Sequence, residues 1–92
     1  MIAFIVHNKV DQVGVAVRDI RKGETLDGWC MEDDSNVSVT AKIDIPLGHK
    51  LAIVDRKRGE PVLKYGVGIG LATDNIGIGD HVHTHNLKTA RW

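Results

Sequence analysis

The run Asp80-His81-Val82-His83-Thr84-His85-Asn86 places three of the chain's five histidines at alternate positions. Imidazole titrates near neutral pH and ligates transition metals, so such a run can move protons or hold an ion. On a pleated strand the three rings would leave one face, about 6–7 Å apart successively. Two imidazoles at that distance can share a metal ion, and a third can help or face a substrate. An ion so held acts as a Lewis acid. The plain alternative is three solvated histidines on an edge strand. Three on one face, flanked by Asp80 and Asn86, tilt the balance toward a site.

Other residues could join them. His49 lies in Gly48-His49-Lys50, and His7 follows the first apolar run. Arg56, Lys57 and Arg58 share one turn, Lys50 and Lys64 flank it, and Lys88 and Arg91 come later. If they converge near the histidines, they suit a small polyanion such as a carboxylate or sulfonate; otherwise they are a solvated basic turn. Gly66-Val67-Gly68-Ile69-Gly70-Leu71 fails the last position of a G-x-G-x-x-G fingerprint, and no helix follows to receive a pyrophosphate. Glycine there marks close backbone approach or a bulge. Ser35 and Ser38 lack a nucleophile elbow, and Cys30 has no histidine beside it.

The elements that must position these groups read as β. Val and Ile together number 20, against 6 Leu and 6 Ala. Branched β-carbons suit pleated strands. The spacing predicts strands over 2–6, 13–17, 36–41, 50–54, 61–65, 69–73 and 81–86, with one short helical turn at most. An internal echo joins them: Asp19-Ile20-Arg21-Lys22-Gly23-Glu24-Thr25-Leu26, then Asp44 to Leu51 with His for Glu, then Asp55 to Val62, then Asn75 to Val82. In each, a short acid or amide opens a turn by bonding an amide two or three residues on, and glycine closes it. The irregular spacing excludes a solenoid and points to a compact β domain joined by tight elbows. Asp27 to Asp34, DGWCMEDD, reads as an acidic solvated loop, with Trp29 as a candidate interface anchor and Trp92 as a second.

Composition bounds the rest. The chain has 92 residues, a mass of 10.1 kDa, and twelve basic residues balanced by twelve acidic ones. No global field attracts nucleic acid or an anionic membrane, and no apolar run approaches the ~20 residues of a membrane span. One cysteine excludes an internal disulfide, and no secretion signal leads the chain, so a cytoplasmic setting is expected. The expectation is one domain over 1–92 with one modest core. Such a domain supplies part of a site rather than a whole one.

Four ordered motifs carry a family resemblance: IPLGHK at 45–50, GEPVLKYG at 59–66, IG at 69–70 and HVHTHN at 81–86. With VGVAVRDIRKGETL they cover nearly the whole chain, which resembles the SAF-type domain of the altronate and galactarate dehydratase family. The resemblance implies a β-clip fold, mainly β, and the role of small subunit in a two-subunit lyase with a large catalytic partner. The implied reaction is β-elimination from a small anionic 2-hydroxy acid. TLDGWCMEDD and HNLKTARW lean toward the branch that releases sulfite from (2R)-3-sulfolactate. The alternatives are a sugar-acid dehydratase subunit and a non-catalytic binding or assembly module. The resemblance also implies a divalent metal (iron, manganese or magnesium), held here or by the large subunit. By position, the expected metal ligands are His81, His83 and His85, and the expected catalytic groups are His83, His85 and His49. Lys50, Lys64 and Asn86 are expected on the substrate, Asn86 orienting either it or a histidine. Self-association stays open.

Overall fold

The branched segments do form strands, but how they are joined departs from the sequence reading. The computed structural model describes residues 2–64, 67–83 and 85–89. Among them the strands are β1 (Ile2–Val6), β2 (Val13–Ala16), β3 (Thr25–Cys30), β4 (Ser35–Thr40), β5 (Lys50–Ala52), β6 (Pro61–Lys64), β7 (Val67–Ala72), β8 (His81–Val82) and β9 (Leu87–Thr89). One sheet has the order β4-β3-β1-β2-β5-β8 and a second has β6-β7-β9. The pair β1 and β3 is parallel; the others are antiparallel. The described residues contain no helical turn. Tyr65, Gly66, Arg91 and Trp92 lie outside the described residues.

Four matched elbows hold these strands. Their closing glycines, Gly23, Gly48, Gly59 and Gly79, have φ of 91°, 84°, 89° and 90°. A side chain would be strained there, which is why glycine recurs. The opening residue, expected to cap its own turn, reaches across to a second elbow instead. Asp19 Oδ1 accepts from the Leu47 amide at 2.9 Å, and Asp44 Oδ1 accepts from the Lys22 amide at 2.8 Å. Asp55 and Asn75 exchange the same bonds, with Ile78 at 2.8 Å and Arg58 at 3.0 Å. The cause is reciprocal packing. Ile20 and Ile45 trade two backbone bonds of 2.9 Å, and Arg56 and Ile76 trade two of 2.8 and 2.7 Å.

An alanine three residues ahead of each opening residue completes the exchange. The Gly23 amide donates to Ala41, whose own amide donates to Glu24; Gly48, Ala16 and His49 repeat the pattern. Gly59, Ala72 and Glu60 repeat it again, as do Gly79, Ala52 and Asp80. All four alanines are buried. The first elbow (19–24) is therefore clipped to the second (44–49), and the third (55–60) to the fourth (75–80).

Each pair of elbows sits in its own apolar cluster. The first holds Ala16, Ile20, Ala41 and Ile45 with Phe4, Leu26 and Leu51. The second holds Ala52, Ala72 and Ile76 with Val13, Val62 and Val82. The single core expected from size is thus two clusters, because each clip buries its own apolar residues.

The acidic loop is also shorter than expected. Thr25–Cys30 is a strand whose alternate residues Leu26, Gly28 and Cys30 are buried, which the polar run DGWC disguises. Trp29 therefore lies on a strand, half-buried, and its Nε1 donates to Asp34 Oδ1 at 2.7 Å inside the hairpin. Gly70 does mark a close approach, to the Lys88 carbonyl, beside a register shift between Val62 and Leu63.

Phe4 explains two strand glycines. Its ring lies where a β-carbon on Gly14 or Gly28 would project. Gly28→Ala must overpack this buried ring and should cost about 1–3 kcal/mol in urea denaturation. Gly68→Ala meets open space and should stay within about 0.5 kcal/mol of the parent. Equal losses for the two would contradict this account of the core.

Candidate functional site

The two histidine-bearing elbows come from different clips and meet through a short ladder. His49 closes the second elbow and leads into β5; His81 follows Asp80 of the fourth and begins β8. Pairing of β5 with β8 sets Lys50 against Val82 and Leu51 against His81. This register brings His49 Nδ1 to 2.8 Å from His81 Nε2, a hydrogen bond in which one ring donates and the other accepts.

The strand expected over 81–86 does not run through. It ends at Val82, and the amides of Asn86 and Leu87 both donate to the His83 carbonyl, at 3.1 and 2.9 Å. Asn86 stabilises this turn. Its Oδ1 accepts from the His83 amide at 2.9 Å and its Nδ2 donates to the His81 carbonyl at 2.7 Å. At 7% exposure, with both ends of its amide engaged, Asn86 is a strut under the histidines. Strand alternation is therefore not what gathers the rings; a turn does so. Ring centroids lie 5.4 Å apart for His81–His83 and 5.4 Å for His81–His85. His49 lies 5.0 Å from His81 and stacks on His83 at 4.7 Å with the planes 12° apart. His83 and His85 are exposed, whereas His49 and His81 are half-buried.

The electrostatics follow from this crowding. Burial, then the neighbouring His49, His85 and His83, push the His81 pKa below its ordinary value. Burial and the nearby Lys64 ammonium likewise lower that of Lys50. Lys50, which follows His49 in the chain, and Lys64 are thus close enough to repel. Arg56 is held by its own elbow: its Nε donates to the Asp55 carbonyl at 2.9 Å. A surface hollow of about 240 Å³ lies where the first two elbows cross, lined by Asp19, Ile20, Arg21, Asp44, Ile45 and Pro46.

The imidazoles have the donor chemistry for a divalent transition metal. Their arrangement serves one another instead. The closest nitrogens share a proton, and among the described residues no group of three or more His, Cys, Asp or Glu is set to hold an ion. Nor is any described helix long and apolar enough to cross a membrane.

Comparison with known proteins adds an independent line. The family model for the altronate/galactarate dehydratase SAF domain matches residues 2–90. The chain is 47% identical to the (2R)-sulfolactate sulfo-lyase subunit alpha of Chromohalobacter salexigens, over 99% of this chain and 98% of that one. It is 50% identical to the protein of that name from Paracoccus pantotrophus, over 65% of this chain and 90% of that one. The altronate dehydratase of Bacillus subtilis is 44% identical over 97% of this chain, which spans 17% of that longer protein.

The lowered His81 pKa has a stability consequence. A folded value below the unfolded one means that the unfolded chain binds more protons in the window between them. Stability is therefore full above about pH 6.5 and declines as pH falls through the folded value. Urea midpoints measured from pH 8 to pH 5 should show this decline, and His81→Asn should flatten it. An unchanged slope in the variant would contradict the assignment.

Proposed function

The chain belongs to the altronate/galactarate dehydratase SAF-domain family, and we propose that it acts as the small subunit of a lyase that releases sulfite from (2R)-3-sulfolactate. The observation that carries this reading is the four-imidazole cluster beside Lys50, in a chain 47% identical to a sulfo-lyase alpha subunit over nearly its full length. The name "subunit alpha" supports a partner chain, and we assign that partner the rest of the active site. A subunit in the cytoplasm fits the single buried cysteine, Cys30.

The reaction needs few steps. A base takes the proton from C2, the electron pair forms the C2–C3 double bond, and the C3–S bond breaks to release sulfite. The enol left behind becomes pyruvate. His83 and His85 are the exposed rings and serve as the groups that meet the substrate. His49 bonds His81 and stacks on His83, so the pair braces the His83 ring beside the substrate. The lowered His81 pKa favours the neutral ring, which keeps the ring-to-ring hydrogen bond with His49. Lys50 and Lys64 meet the carboxylate and sulfonate, and Asn86 holds the turn. A divalent metal is what the resemblance implies. His81, His83 and His85 as arranged do not make a ligand set, so we place the metal on the large subunit and route no step through it.

A second reading, an altronate dehydratase subunit, is favoured by the 44% identity to the Bacillus subtilis enzyme. Co-purification with the large subunit and assay on sulfolactate and altronate separates the two. With sulfolactate, His83→Ala and His85→Ala should each lower kcat about 100-fold or more, the usual size of a lost acid–base group. Lys50→Met should raise KM more than it lowers kcat. Undiminished turnover in both histidine variants would end the catalytic assignment and leave a binding or assembly role.

A further inference from the structure

The four elbows share one backbone but not one chemistry at the closing position. In each, the amide of the closing residue donates to the carbonyl three residues before it, at 3.2 Å for Glu24, 3.0 Å for His49, 2.9 Å for Glu60 and 2.9 Å for Asp80. In three of them the closing side chain also returns to that same earlier residue. Glu24 Oε2 accepts from the Arg21 amide at 2.6 Å, Glu60 Oε1 from the Lys57 amide at 2.6 Å, and Asp80 Oδ2 from the Gly77 amide at 2.7 Å. These acids are structural: each satisfies a donor that its own turn leaves pointing outward.

The second elbow has Pro46 at that position, and proline has no amide hydrogen. There is no donor to satisfy, so nothing requires a carboxylate at 49. There is also nothing on its own elbow to hold the side chain at that position back. The ring instead reaches a different elbow, bonding His81 and stacking on His83. From this juxtaposition we infer that Pro46 is a positioning residue for His49: deleting one backbone donor turns a structural elbow into one that presents an imidazole to the site. This deepens the lyase reading and rests on it only where turnover is concerned.

The test restores the donor. Pro46→Ala reinstates an amide that the His49 ring can accept from, and Pro46→Arg with His49→Glu copies the residue types Arg21 and Glu24 of the first elbow. In the ¹⁵N-labelled 92-residue chain, the scalar coupling across the Nδ1···Nε2 hydrogen bond between His49 and His81 reads the placement directly. It should be present in the parent and lost in Pro46→Ala. Thermal midpoints should show coupling between the two sites. His49→Glu raises the midpoint in the Pro46→Arg background and gives no gain beside Pro46. With the large subunit present, Pro46→Ala should lower kcat about tenfold or more with little change in KM, as for a displaced catalytic group.

Retention of the ring-to-ring coupling in Pro46→Ala, or additive midpoints in the double variant, overturns the inference. The double variant keeps it testable should Pro46→Ala fold poorly, since its elbow has a working precedent in the same chain. Loss of the coupling with unchanged turnover sustains the positioning role and removes His49 from the proposed chemistry.

Discussion

The structure depends on a reciprocal exchange of backbone hydrogen bonds between elbows. A tight turn closing on glycine exposes amides that the turn cannot satisfy, and a buried one without a partner costs about 1–3 kcal/mol. Here no elbow solves that alone. Each borrows the alanine and the opening side chain of its partner, so neither member of a pair is complete without the other. The exchange also explains the side chains. Isoleucine, or the stem of Arg56, lies where the two turns cross, and alanine lies where a larger residue would hold the backbones apart.

The clips settle where chemistry can occur. Within a clip, the opening residues and three of the closing residues are committed to backbone amides, and what remains for function is what the clips leave over. The left-over groups lie where one clip meets the other: His49 from the second elbow, and His81 beyond the fourth, joined by the two-residue β5–β8 ladder. The histidine cluster therefore sits between two independently braced units. Its precision comes from the bracing rather than from the length of the strands that carry the rings.

Much of this was legible in the sequence, and what was missed has a physical reason. The elbows showed because glycine at positive φ and a short acid are strong local signals. Their pairing did not show, because the bonds run between residues 17 to 28 positions apart, and the alanine that receives them has no polar signature. Strand β3 was hidden by Asp27, Gly28 and Trp29, whose alternation is visible only once Gly28 is known to lie under Phe4. The three rings of the histidine row do gather, but not by alternation along a strand. The strand stops at Val82, and Asn86, whose capping of a turn resembles any Asx contact, is what draws His83 and His85 back toward His81. His49 stands out in the sequence as a departure from the elbow pattern, but the missing amide of Pro46 three residues earlier matters only once the other closing acids are seen to return to that position.

A domain built this way explains why its cluster is one of imidazoles rather than carboxylates. Every elbow that keeps its third amide consumes a closing acid, so Glu24, Glu60 and Asp80 are unavailable to a site however close they lie. The closing positions can contribute chemistry only by losing that amide, and the residue that then enters need not be charged. Imidazoles can stack on and bond one another at centroid distances of 4.7 to 5.4 Å, where carboxylates would repel.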